Sequence, residues 1–158
     1  MKTRIITNVI ALVVCFGAAD VSAQGACVAG LTTAALVTTL SGKYVCAKRT
    51  TNNDTWNELH QGTTAAGGPI KDYKLGPNDP IDPSKVVGTY SIGTVQANTV
   101  TYNYSDAGSP YTYVVRTFPN PGSDPNAAGH QFCNVATGEL IPAIISTSPT
   151  HPLCGNVP

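Results

Sequence analysis

The chain has 158 residues with nine basic and nine acidic side chains, so its formal net charge is zero. A protein that binds nucleic acid needs a concentrated basic face to neutralise phosphates, and because no basic run is present we expect no nucleic-acid partner. Charged residues make up only 11% of the chain, whereas Gly and Pro number 15 and 12, which favours sheet and turns over long solvent-exposed helices.

The N-terminus has the pattern of a secretory signal peptide. Lys2 and Arg4 precede a mostly apolar run over residues 5–19, and Val21-Ser22-Ala23 supplies small residues for cleavage. The apolar run is too short for a stable membrane span, which needs about 20 residues. We therefore predict that residues 1–23 are removed, that residues 24–158 form one domain, and that this domain is secreted or periplasmic with no membrane span.

Four cysteines remain after the predicted cleavage: Cys27, Cys46, Cys133 and Cys154. An even number of cysteines in a secreted chain predicts disulfides. Of the three pairings, we favour Cys46 with Cys133, which joins the first strand to a late one, and Cys27 with Cys154, which ties the termini together. Zinc is the rival use of four cysteines, but no CxxC pair is present, so no metal site and no cofactor are predicted.

The hydrophobic pattern predicts one short helix over residues 31–40, followed by strands. Eight short segments are mostly rich in β-branched and aromatic residues and are bounded by turn residues: 43–48, 55–60, 70–75, 86–93, 98–105, 111–118, 130–135 and 139–146. Short strands with turns about every ten residues predict an all-β antiparallel meander, closed or nearly closed as a small barrel, with a β-sandwich as the alternative.

Two-residue alternation assigns the strand faces. One face carries aromatic and aliphatic side chains: Tyr90, Ile92, Val100, Tyr102, Tyr104, Tyr111, Tyr113 and Val115. The opposite face carries polar ones: Thr89, Ser91, Thr99, Thr101, Asn103, Thr112 and Arg116. We expect the first face to lie on the core and the second in water.

The segment TWNELH places Trp56, Glu58 and His60 on one face of a strand. We predict that Trp56 is buried and that Glu58 and His60 lie at successively shallower depth toward the mouth of a barrel. A carboxylate beside an imidazole can orient the ring for acid–base chemistry or metal binding. The interpretation that we favour is structural, because a hydrogen-bonded polar rim is also what burial of these groups requires.

The tyrosines form a second candidate site. Tyr90, Tyr102, Tyr104, Tyr111 and Tyr113, joined by Tyr44 and Phe132, would line a pocket for a small apolar or aromatic ligand. The same residues would equally form an ordinary core whose hydroxyls reach the barrel ends.

Several segments together resemble an uncharacterised family of short secreted bacterial proteins. They are LSGKYVC, WNELH, GGPIKDYKLGPNDPIDP, VGTYSI, VTYNY, YTYVV and QFC, and the similarity covers nearly all of the chain after the signal. LSGKY and VGTYS also resemble the Gly-x-aromatic strand starts of lipocalin-like barrels, which bind small apolar molecules. The resemblance implies a fold and a compartment, and it implies no reaction.

The leading functional hypothesis is therefore a non-enzymatic binding module with an aromatic interior behind Trp56, Glu58 and His60. The alternative is a structural or interaction protein of an envelope or extracellular assembly with a solid core. An enzyme ranks third, because the sequence lacks the common catalytic motifs and offers only Glu58 and His60 for chemistry.

Overall fold

The computed structural model describes residues 27–73, 85–119 and 127–147. The predicted signal peptide and Cys154 lie outside these residues. A helix, α1 (Thr33–Leu40), precedes eight strands: β1 (Tyr44–Lys48), β2 (Thr55–His60), β3 (Gly68–Asp72), β4 (Lys85–Ile92), β5 (Val100–Tyr104), β6 (Tyr111–Thr117), β7 (Ala127–Asn134) and β8 (Leu140–Ser146). The predicted helix and the eight predicted strands are all present.

The strands form a closed antiparallel barrel. Each strand pairs with the next along the chain, and β8 returns to pair with β1 through Tyr44↔Ser146 and Ala47↔Ala143. Closure satisfies both edges of every strand in the barrel. This arrangement confirms the barrel over the sandwich, and eight strands leave an interior just wide enough for side chains or one small ligand.

The alternation that defines the faces is confirmed in part. Tyr90, Ile92, Val100, Tyr102 and Val115 are all 3% exposed or less and form the core together with Val45, Ile70, Phe132, Ile141, Ala143 and Ile145. On the outer face, Thr89 and Asn103 are exposed as expected. Thr99 and Thr101 were predicted to face water and are buried instead. The Thr99 hydroxyl donates to the Gln96 carbonyl at 2.6 Å, and the Thr101 hydroxyl lies 3.1 Å from that of Thr112 on the neighbouring strand.

Helix α1 closes one end of the barrel. Its N-terminus is capped by Thr32, whose hydroxyl accepts a hydrogen bond from the Ala35 amide. Leu36 and Leu40 are completely buried against the core. Because Leu40 is separated from β1 by only three residues, α1 lies at the end where β1 begins and β2 finishes. We call this the closed end, and the opposite one the open end.

The pairing of β3 with β4 contains a bulge. Ile70 lies opposite Gly88 whereas Lys71 lies opposite Val86, so Val87 is the extra residue on β4. A bulge bends its strand and increases the local twist. Just beyond it, a Cβ atom at Gly88 would lie 2.3 Å from the Asn103 carbonyl oxygen on β5. Glycine is therefore required where β4 and β5 approach each other.

The predicted disulfide pairing is wrong. Cys27 is bonded to Cys133, which rules out both Cys46–Cys133 and Cys27–Cys154. Cys46 on β1 and Cys133 on β7 have β8 between them, and two strand spacings of about 4.8 Å exceed the reach of one disulfide. Cys46 is itself disulfide-bonded.

The Cys27–Cys133 bond holds the N-terminal segment on the outside of β6 and β7. The Leu31 amide donates to the Val115 carbonyl at 2.7 Å, and Gly30 lies against Val114. Thr33 and Asn98 then exchange hydrogen bonds that join the start of α1 to the turn between β4 and β5. These contacts position the helix over the closed end. Within the described residues, no helix is long and apolar enough to cross a membrane.

Candidate functional site

A cavity of about 50 Å³ lies in the open half of the barrel. We call it the aromatic pocket. Five aromatic rings line it, together with four other side chains: Trp56, Tyr102, Tyr104, Tyr113, Phe132, Val45, Ala47, Glu58 and Ile141. The closed half contains α1, Ile70, Tyr90 and Ile92 and is packed. The pocket therefore lies at the end of the barrel opposite to α1.

The rings of the aromatic pocket support one another. Tyr102 stacks on Tyr104 with centroids 6.0 Å apart, and it meets Tyr113 edge to face at 5.7 Å. Tyr113 in turn meets Phe132 edge to face at 6.0 Å. Such pairs contribute about 0.5–1.5 kcal/mol beyond their buried area. The wall of the pocket is thus held in shape by contacts among three adjacent strands.

Glu58 is the one carboxylate that lines the pocket, and it is only 5% exposed. Its Oε2 accepts a hydrogen bond of 3.0 Å from the Tyr104 hydroxyl. Burial raises the pKa of Glu58 to about 7, the Tyr104 hydrogen bond opposes the rise, and the negative charge of Asp72 adds to it. Near neutral pH, this side chain is thus divided between its charged and neutral forms.

His60 is completely buried, and its Nε2 lies 2.9 Å from the Tyr102 hydroxyl. Desolvation lowers the pKa of His60 to about 3, although the nearby Glu58 backbone carbonyl opposes the shift slightly. Its Nδ1 forms no hydrogen bond of ordinary geometry with the described residues. His60 is therefore neutral at physiological pH, and its packing against the Tyr90 ring at 4.7 Å marks it as part of the core.

The predicted depth order of the three residues on β2 is wrong. His60 is the deepest and is not part of the pocket lining, while Trp56 is partly exposed at the open end. The cause is the direction of β2, which runs toward the closed end because α1 lies where β2 finishes. The carboxylate–imidazole arrangement that the sequence offered as the functional alternative does not form: Glu58 bonds to Tyr104, and His60 bonds to Tyr102.

The predicted tyrosine lining is divided among three locations. Tyr102, Tyr104 and Tyr113 line the pocket. Tyr90 is buried in the closed half, with its hydroxyl directed at Ser41, as an ordinary core residue would be. Tyr111 is 41% exposed at the rim, where its ring contacts Tyr104.

Tyr44 is not part of the lining. Its neighbour Val45 faces inward, so Tyr44 faces outward, where its ring contacts that of Tyr73, the residue after β3. Phe132 lines the pocket as expected. Sequence reasoning missed Val45, Ala47 and Ile141. Alternation places Val45 and Ala47 on one face of β1, whereas β8 is apolar and buried almost throughout, so its sequence does not single out Ile141.

Arg49 stands at the open end, directly after β1. Its guanidinium lies 5.2 Å from the centre of the Trp56 ring. Arg49 forms an ion pair with Glu139, in which Nε lies 2.7 Å from a carboxylate oxygen. A longer ion pair joins its Nη1 to the Asp54 carboxylate at 3.8 Å. This group fixes the indole ring that borders the pocket.

Across residues 27–73, 85–119 and 127–147, no group of three His, Cys, Asp or Glu side chains converges as a metal site would require. No protein-family model, curated protein or solved structure matches the chain. The geometry of the pocket is therefore the basis for assigning a function.

Proposed function

We propose that the protein is a secreted or periplasmic binding module that takes a small apolar or aromatic ligand into the open end of its barrel. The observation that carries the proposal is the aromatic pocket itself. Five rings line a space of about 50 Å³ at the open end of the barrel. Protein cores normally close such voids, and an apolar pocket with one or two polar groups is the usual form of a ligand site.

The size of the pocket limits the ligand. A cavity of about 150 Å³ is known to hold benzene, whereas this one measures about 50 Å³. A ligand would insert one small end between the rings and leave the remainder at the mouth. Trp56 and Tyr111 are both partly exposed there and supply apolar surface for the outer part of such a ligand.

The compartment in the proposal is supported by two features. The first is the signal-like pattern of residues 1–23, and the second is the Cys27–Cys133 disulfide, a type of bond that persists in oxidising environments. Cys46 is also disulfide-bonded. A barrel stapled in this way keeps its shape outside the cell, where a binding module would meet its ligand.

Trp56 is the only tryptophan in the chain and borders the pocket, so its fluorescence reports on occupancy. We expect benzyl alcohol to produce a saturable change in Trp56 emission. Substituting Ala47→Leu would fill part of the pocket and weaken this binding strongly, because a leucine adds about three methylene-sized groups to a space of this size. Thr89→Leu, on the exposed outer face of β4, is the matched control and should bind as the native protein does.

The proposal would be overturned by an emission change that never saturates, or by one that is equal in both variants. Thermal melting of each variant shows that it is folded before binding is compared. Native mass spectrometry of protein from its own host gives a second readout, since a bound small molecule would appear as a discrete mass increment.

A solid-core structural or assembly protein remains the second candidate, and the small volume of the pocket favours it. Among the eight described strands, closure of the barrel leaves no edge for pairing with another chain. Any assembly would therefore form through exposed side chains, such as those of Val86 and Val95. Sedimentation velocity separates the candidates, because an assembly component associates as its concentration rises and a ligand-binding barrel need not.

A further inference from the structure

We propose that the ligand of the aromatic pocket carries a small ammonium group, which lies between the rings and pairs with the Glu58 carboxylate. This inference rests on the proposed binding function and names the chemical class of its ligand. It follows from the combination of a buried carboxylate, a cage of aromatic rings and a head-group-sized space in one cavity.

The charges around the pocket call for a cation. Among the described residues, no Lys or Arg forms an ion pair with Glu58, since the ion pairs found there join Arg49 to Glu139 and to Asp54. Asp72 is the cross-strand partner of Glu58 on β3, and like charges placed opposite each other repel. A positive ligand would relieve both the repulsion and the burial of an unpaired carboxylate.

The rings supply the second half of the recognition. The face of a Trp, Tyr or Phe ring attracts a cation within about 6 Å, and cages of such rings bind ammonium groups. The mouth of the pocket already shows this preference, because the Arg49 guanidinium lies 5.2 Å from the centre of the Trp56 ring. Arg49 is held outside by Glu139, so the interior rings and Glu58 remain available to a ligand.

The volume fits a head group. One water-sized group needs about 10–15 Å³ by the same measure, so a cavity of about 50 Å³ holds about three to five such groups. That is about the size of an ammonium with its first two to four carbons. The hydrocarbon or aromatic remainder of the ligand would extend past Trp56 to the mouth.

The pocket geometry also makes binding depend on pH. The titratable groups around Glu58 are His60 on its own strand and Asp72, Tyr102, Tyr104 and Tyr113 on other strands. The Arg49–Glu139 pair lies further out, beside Trp56 at the mouth. The pKa of His60 is lowered and those of the three tyrosines are raised, so none of these four changes charge near pH 7. Glu58, with a pKa of about 7, is the group expected to control binding there.

The test is a titration of the full chain monitored by Trp56 fluorescence, with benzylammonium chloride, benzyl alcohol and sodium benzoate at constant ionic strength. At pH 8 we expect benzylammonium to bind at least about tenfold more tightly than benzyl alcohol, the factor that corresponds to one pKa unit of charge coupling, and benzoate not to bind. Benzylammonium should bind about tenfold more weakly at pH 6 than at pH 8, because Glu58 becomes protonated between them.

Glu58→Gln should abolish both the preference for benzylammonium and its pH dependence. Asp106→Asn is the matched control: it removes one exposed carboxylate from the turn at the same end of the barrel and should behave as the native protein does. If Glu58→Gln fails to fold, the pH dependence of the native protein still decides the matter.

The outcomes separate this inference from the function on which it rests. Equal, saturable binding of benzylammonium and benzyl alcohol overturns the ammonium inference and leaves the binding function standing. A preference for benzylammonium that survives in Glu58→Gln also overturns it, since the cation would then bind elsewhere. Failure of all three probes to bind saturably overturns both proposals.

Discussion

Tyr104 on β5 donates a hydrogen bond of 3.0 Å to the Glu58 carboxylate on β2. The two strands are separated by β3 and β4 around the wall, so this bond crosses the barrel interior. It holds a largely buried carboxylate among aromatic rings, and it links the polar and apolar parts of the pocket. The chemistry proposed for the protein depends on this relationship.

Removing the donor should make Glu58 harder to ionise. The Tyr104 hydrogen bond lowers the pKa of Glu58 against the effect of burial, so Tyr104→Phe is expected to raise that pKa further above 7. The carboxyl carbon of Glu58, followed by NMR as pH is varied, measures the change. Tyr111→Phe, at the exposed rim, is the control. An unchanged Glu58 pKa in Tyr104→Phe would show that the bond does not form in solution.

Glu58 should make the protein less stable as pH rises. Its pKa is raised from 4.5 to about 7 in the folded state, so the folded protein holds this proton more tightly than the unfolded chain does. The contribution is favourable below pH 4.5 and is lost as pH rises through 7, by about 3 kcal/mol in total. The free energy of unfolding, measured with urea at pH 5 and pH 8, should rise in Glu58→Gln relative to the native protein at the higher pH. A difference between the two proteins that is the same at both pH values would contradict this.

His60 should act as a structural residue. It is completely buried, packs on Tyr90 and bonds to Tyr102, so His60→Ala leaves a void and an unpaired hydroxyl. We expect a loss of about 3 kcal/mol in the free energy of unfolding, measured by urea denaturation. Leu59→Ala, on the opposite face of β2, should cost less. Loss of ligand binding in His60→Ala without loss of stability would instead assign His60 to the site.

Burial of His60 should also make the folded protein less stable in acid. Its pKa falls from 6.5 to about 3 on folding, so below pH 6.5 the unfolded chain takes up a proton that the folded protein resists. Stability is therefore lost as pH falls from 6.5 toward 3. In His60→Ala, the free energy of unfolding should fall less steeply as pH decreases from 6.5 toward 3. A slope equal to that of the native protein would show that His60 does not cause the sensitivity to acid.

The disulfide assignment can be checked chemically. Non-reducing proteolysis followed by mass spectrometry should yield a peptide that joins Cys27 to Cys133, and none that joins Cys46 to Cys133. The bond closes a separation of 106 residues, so Cys27→Ala with Cys133→Ala should cost as much as about 4 kcal/mol. Recovery of a Cys46–Cys133 peptide would contradict the strand order around the barrel.

The sequence predicted the strands well because each is a short β-branched or aromatic segment bounded by turn residues, and because several of them, such as β5, also alternate. Along β5, Val100, Tyr102 and Tyr104 point inward while Asn103 points out. A one-residue shift in register would turn the three apolar and aromatic side chains toward solvent, so their burial fixes this register. The antiparallel meander followed from the number of strands and the turn residues between them, which left a β-sandwich as the alternative to the barrel. Thr101 departs from the pattern, because its burial on the outer face depends on neighbouring chain that alternation along one strand does not describe.

The arrangement within the site could not be predicted in the same way. Periodicity placed Trp56, Glu58 and His60 on one face, but it carries no information on which end of β2 is open. That depends on where α1 packs, which is a long-range contact. The bond from Tyr104 to Glu58 and the proximity of Asp72 depend on the strand register around the barrel, and so does the disulfide that joins Cys27 to Cys133.

The most direct test of the account is the location of a bound ligand. Nuclear Overhauser contacts from benzylammonium to an isotope-labelled protein would identify the side chains around it. The account predicts contacts with the rings of Trp56, Tyr104 and Tyr113, together with a fall in the Glu58 pKa on binding. Contacts confined to outer-face residues such as Tyr44 and Tyr73, with an unchanged Glu58 pKa, would contradict it.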